Sequence, residues 1–122
     1  MTLMNIRLEL ARTPEFPDGS RAHGYEFTAP VTKEGHLDAA AWAQNKARCT
    51  VTRFWDGREI KGKLRRVGSG WRFDYIEGDD DDEPFFKLDK HHIEPGLYVT
   101  IREADGKEQP FKIVSVEPAA PK

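Results

Sequence analysis

The chain contains one cysteine, Cys49, so no disulfide can close within it and a structural zinc site built from several thiolates is excluded. A reducing compartment fits that usage. No stretch approaches the ~18 consecutive apolar residues of a membrane-spanning helix, and no membrane partner is expected. The opening MTLMNIRLELARTPEF lacks the basic start and unbroken apolar core of a secretion signal, which points to a soluble, cytoplasmic protein. Charge of one sign is missing too. The 19 Lys and Arg nearly balance 21 Asp and Glu, for a formal −2, so nothing attracts the whole molecule to nucleic acid or an anionic surface. No catalytic or cofactor motif is present, and the reading is of a protein that is not an enzyme and carries no cofactor.

What is present is a β-pattern. At 122 residues the chain is the size of one domain with one core, and its 3 Trp, 3 Tyr and 7 Phe supply much of the packing volume. Ile6, Leu8 and Leu10 alternate with polar neighbours until Pro14, and Tyr25 and Phe27 do so before Pro30; each run has the two-residue period of a half-buried strand. CTVTRFW and GKLRRV follow as strands broken by Asp56-Gly57. Gly68-Ser69-Gly70 then turns the chain into a strand whose Trp71, Phe73 and Tyr75 share one face. PFFKL reads as another. After Glu94-Pro95-Gly96, Leu97, Val99 and Ile101 alternate with Tyr98, Thr100 and Arg102; past Ala104-Asp105-Gly106, Phe111, Ile113 and Ser115 form the inward set of the returning strand. The one helical segment is LDAAAWAQNKAR, with Asp38 as N-cap and Leu37 placed to staple onto Trp42. The fold class expected is mainly β: a small barrel or sandwich of about seven or eight mostly antiparallel strands with one short docked helix. It occupies residues 1–117 as a single domain, and the Pro- and Ala-rich 118–122 form a flexible tail.

The set AHGYEFTAP, GHLDAAAW, CTVTRFWDG, GWRFDY, DDDDEPFFKLDKH and PGLYVTIREADG resembles that of a family of small proteobacterial proteins with no assigned activity, over most of the chain. The resemblance implies a bacterial, cytoplasmic setting and supplies no site residues. PGLYVTIREADGKEQPFKIVSV is also similar to the closing hairpin of many small β-barrels.

Three places could carry chemistry. Asp79–Glu83 offers hard oxygen ligands, with His91 or His92 nearby in sequence, but contiguous residues of an extended segment point to opposite sides and cannot all face one ion. A solvated loop is the expectation and no metal ligand is assigned. Cys49, flanked by Thr50 and Val51, reads as a small buried residue without a base to activate it. The third feature is the charge layout. From Lys46 to Arg72 nine bases face two acids, whereas from Asp74 to Asp89 eight acids face one base. Bases interleaved with aromatics suit a groove for single-stranded nucleic acid, and the candidates are Arg53, Trp55, Lys61, Lys63, Arg65, Arg66 and Trp71. The neighbouring acids would repel phosphate. The function expected is therefore a non-catalytic binding or interaction module, whose specific role and partner, a protein being one candidate, the residues do not name. A single-strand nucleic-acid-binding β-barrel using residues 53–72 is the first alternative, and a metal-dependent enzyme or metal protein using 79–92 is the second.

Overall fold

The computed structural model describes residues 2–67, 70–75, 93–102 and 108–119. Their strands are β1 (Thr2–Leu10), β2 (Ser20–Val31), β3 (Thr50–Trp55), β4 (Arg58–Val67), β5 (Gly70–Tyr75), β6 (Tyr98–Arg102) and β7 (Glu108–Pro118), with helix α1 (Ala39–Gln44) between β2 and β3. All seven strands belong to one sheet, in the order β5-β4-β3-β2-β1-β7-β6. Every neighbouring pair is antiparallel. The first five strands thus form a meander, and the β6–β7 hairpin adds to its free β1 side. The mainly β class read from the sequence holds, including both expected hairpins. The strand expected at PFFKL lies outside the described residues.

The sheet is strongly curled. Tyr25 on β2 has its ring centroid 5.1 Å from that of Phe73, three strands away on β5, and 5.2 Å from that of Phe111, two strands away on β7. On a flat sheet three strand spacings would separate them by ~14 Å. Curling brings the inner faces of distant strands together, and the core fills that concavity. Trp71, Tyr25, Phe27, Phe73, Phe111, Ile6, Leu8, Leu64, Ile101, Ile113 and Val51 are all fully buried there. The two-residue period of each strand places them, since alternate side chains share a face.

Two irregularities adjust that phase. In β1–β7 the register shifts between Arg7, opposite Ser115, and Leu8, opposite Ile113, so Val114 is an extra residue on β7. Beyond the bulge the inward position passes from Ser115 to Val116, which stands opposite Ile6 and packs on the core. A strict alternation through Ser115 therefore gives the wrong face. In β1–β2 the partner of Glu9 is Gly24 but that of Leu10 is Ser20, so Arg21, Ala22 and His23 bulge out of the ladder.

The prolines also behave differently from expectation. β2 continues through Pro30, opposite Leu3, and β7 continues through Pro118, opposite Met4; the Ala119 amide then donates to the Leu3 carbonyl at 2.9 Å. The strand thus overruns the boundary placed at residue 117, because a proline needs no donor position of its own at a ladder's end. In the helical segment, the Asp38 carboxylate caps α1 by accepting from the Ala41 amide at 3.1 Å. The helix is shorter than LDAAAWAQNKAR. The Asn45 side-chain amide donates to the Ala41 carbonyl at 2.8 Å, taking the acceptor that a further helical turn would use, and a single 3-10 turn at Lys46–Arg48 follows. Trp42 fastens α1 to the sheet. Its indole N–H donates to the Leu64 carbonyl at 2.9 Å, and its ring meets Trp71 edge-on at 5.7 Å.

Candidate binding surfaces

The two faces of the sheet divide the sequence-predicted site residues between them. β4 pairs with β3 so that Ile60 faces Arg53, Lys61 faces Thr52 and Lys63 faces Thr50; β4 pairs with β5 so that Arg65 faces Arg72 and Arg66 faces Trp71. Residues directly opposite share a face. Arg53, Trp55, Arg66 and Trp71 therefore belong to the inner side, while Lys61, Lys63 and Arg65 stand on the outer side. The contiguous basic-aromatic stretch is not one groove.

On the inner side the cations serve the aromatic core. The Arg53 guanidinium lies 4.1 Å from the centre of the Trp55 ring, and that of Arg66 lies 5.0 Å from the centre of Trp71. His23 is buried, contacts Trp55 edge-on at 4.5 Å and shares a 2.6 Å hydrogen bond between Nδ1 and the Ser20 hydroxyl. Trp71 has no exposed surface and lies against Trp42 of α1. The proposal that it stacks bases is corrected: no base can reach its face. Trp55 is half-buried and already covered by Arg53 and His23.

The outer side is organised in polar rows. Across β3, β2, β1 and β7 runs Thr52, Glu26, Arg7 and Ser115. Arg7 pairs with Glu9 at 2.9 Å and Glu26 at 3.4 Å, Asn5 donates to Glu26 at 2.8 Å, and the Arg7 guanidinium covers the Phe54 ring at 4.3 Å. In this part of the surface one guanidinium serves two carboxylates. On β4 the balance is different. Lys61, Lys63 and Arg65 are exposed, Lys61 lies opposite Thr52, and Lys63 lies between Thr50 of β3 and Asp74 of β5.

Two cavities open on the outer side. One, of about 590 Å³, is lined by Leu3, Asn5, Thr28, Arg48, Thr50 and Glu117, among others. The second, of about 430 Å³, lies where the 11–19 loop meets β1, β6 and β7, and includes Arg12, Arg21, Tyr98 and Lys112. Reasoning from sequence missed this second cluster, although Tyr98 sits in the polar phase of the Leu97–Arg102 alternation, where an aromatic ring must face solvent.

Asp79–Glu83, Asp89, His91 and His92 lie outside the described residues. Among the described residues, no three His, Cys, Asp or Glu side chains come together as a metal-holding group. Cys49 is fully buried, and burial pushes its thiol up to about 11 despite the opposing influence of Arg48. A thiol reagent at pH 8 should therefore leave Cys49 unmodified in the folded protein and label it fully in denaturant. Because the folded thiol resists ionisation, its contribution to stability is whole below the ordinary thiol value of 9.0 and declines as pH rises from there towards about 11. Rapid labelling at pH 8 without denaturant would show that Cys49 is accessible.

No protein-family model, curated protein or solved structure matches this chain.

Proposed function

We propose that this protein is a non-catalytic binding module of the bacterial cytoplasm that docks an acidic, extended segment of a partner protein along the outer face of β4. The observation that supports this reading is the exposed row Lys61, Lys63 and Arg65 on one face of β4, where Thr52 and Thr50 of β3 stand opposite Lys61 and Lys63, and Asp74 and Arg72 of β5 stand opposite Lys63 and Arg65. Alternate residues of a strand recur every ~6.6 Å, so the three charges span ~13 Å. An extended acidic peptide repeats its side chains on one face at the same interval, which lets three carboxylates meet three cations in register. The inner face is filled by core side chains, which leaves recognition to the outside.

The single-strand nucleic-acid alternative keeps its electrostatic half only. Such binding combines phosphate contacts with base stacking. On this face the neighbouring aromatic, Phe54, lies under the Arg7 guanidinium, and Trp55 and Trp71 are on the other side of the sheet. The metal-protein alternative rests on 79–92.

A pull-down from bacterial lysate, with and without nuclease, compares the parent with the triple variant Lys61→Gln, Lys63→Gln, Arg65→Gln. The expected result is a nuclease-resistant protein partner retained by the parent, lost by the variant, and released by raising salt well above ~0.15 M, since exposed charges are screened. Stability should be nearly unchanged. Capture that vanishes with nuclease would transfer the surface to nucleic acid, and capture unaffected by the triple variant would remove β4 from the interface.

A further inference from the structure

The cavity of about 430 Å³ beside Tyr98 brings Arg12, Arg21 and Lys112 together with an exposed aromatic ring. We propose that it binds a nucleoside monophosphate, with Arg12, Arg21 and Lys112 holding the phosphate and Tyr98 stacking on the base.

The charges come first. Arg12, Arg21 and Lys112 are exposed and make no ion pair with a described residue. The acids on the same lining are Glu9 and Asp18, and Glu9 is held by Arg7 at 2.9 Å. The lining thus carries three cations against two carboxylates, one of them also bridged by Arg7, and the positive excess favours an anion. The ring comes second. Tyr98 is 59% exposed, the most open large apolar side chain among the described residues, and stands directly opposite Lys112 in the β6–β7 ladder, as Lys112 stands opposite Glu9 in β1–β7. The register therefore sets an open aromatic face beside a cation on one surface, the pairing that a base with its phosphate requires.

The wall is preformed. Within the 11–19 loop, Thr13 and Phe16 exchange backbone hydrogen bonds at 3.0 Å, the Phe16 amide also meets the Thr13 hydroxyl at 3.1 Å, and the Gly19 amide donates to the Phe16 carbonyl at 2.9 Å. Phe16 packs against the core and His23. Gly19 closes the loop at φ 76°, where a side chain would be strained and its Cβ would lie 2.8 Å from the Leu10 carbonyl oxygen. A cavity with a fixed wall loses little entropy on binding, and its volume is in the range of small-molecule sites.

The test titrates the isotopically labelled full chain with AMP in ~0.15 M salt, following amide shifts by NMR. Saturable shifts at Leu10, Gly19, Tyr98 and Lys112 with a Kd of about 1 mM or tighter are expected. Arg12→Ala and Lys112→Ala should each weaken AMP by about tenfold, while Lys61→Ala with Lys63→Ala should leave it unchanged. Tyr98→Ala should weaken AMP but not inorganic phosphate, whereas adenosine alone should bind more weakly than AMP. A 5′-phosphorylated oligonucleotide separates the sources: binding no tighter than AMP supports a free nucleotide, and much tighter binding that follows Lys61 and Lys63 overturns it. Absence of saturation, or shifts that Arg12→Ala and Lys112→Ala leave intact, would also overturn it. All these substitutions are at exposed positions, and an unchanged urea midpoint verifies that each variant is folded.

Discussion

Replacing Gly24 by alanine should destabilise the protein by about 3 kcal/mol or more, far beyond the usual effect of adding one methyl group to a strand. Gly24 does not occupy a left-handed conformation, so the reason is space. A Cβ at this position would be driven into the carbonyl oxygen of Leu8 and would lie 2.8 Å from the Phe54 ring. Side-chain rotation could relieve the second contact, but the first is with backbone. Gly24 pairs with Glu9 just where the β1–β2 register breaks, and Phe54 faces it from β3 beneath the Arg7 guanidinium. Moving Leu8 away would pull a fully buried side chain from the core, and moving Phe54 would uncouple it from Arg7. Urea denaturation of Gly24→Ala compared with Gly57→Ala checks this. Nothing lies near the Cβ position of Gly57, so that variant reports only the strain of a residue at φ 89°. Equal losses in the two variants would mean that the β1–β2 approach yields and that Gly24 is not sterically required.

This glycine also marks the limit of what the sequence makes legible. The buried set was readable, because Ile6, Leu8, Tyr25, Phe27, Phe73, Ile101, Phe111 and Ile113 follow the two-residue period that strand geometry imposes. The bulges at Val114 and at Arg21–His23 were not, since an inserted residue changes phase without leaving a compositional trace. The candidate site suffered from the same geometry. Basic and aromatic residues from 53 to 71 look continuous in one dimension, yet alternation sends Lys61, Lys63 and Arg65 outward and Arg53, Arg66 and Trp71 inward. Once β4 was assigned, that division could be inferred. The cluster of Arg12, Arg21, Tyr98 and Lys112 could not, because β7 pairs with β1 across nearly the whole chain and no local pattern specifies that closure.

Trp71→Ala should lower stability by about 3–5 kcal/mol, the range for deleting a large buried aromatic, which is a sizeable part of a small domain's total. Trp71 is the largest fully buried side chain and joins three parts of the fold: β5 to which it belongs, α1 through the edge-on contact with Trp42, and β4 through the Arg66 guanidinium. Trp71→Phe should be much milder than volume alone suggests. The Trp71 indole N–H is buried with no hydrogen-bond partner among the described residues, so the native residue bears a desolvation penalty that phenylalanine removes. The contact with α1 can be isolated by a double-mutant cycle of Trp42→Ala and Trp71→Ala, in which an edge-on aromatic pair should give a coupling of about 0.5–1.5 kcal/mol. Urea midpoints at constant m-value supply all three numbers. A loss below about 1 kcal/mol for Trp71→Ala would place this ring outside the core and reopen it as a stacking surface for nucleic acid. If Trp71→Phe is as damaging as Trp71→Ala, the indole N–H makes a bond that matters, and the orphaned donor is not a penalty at all.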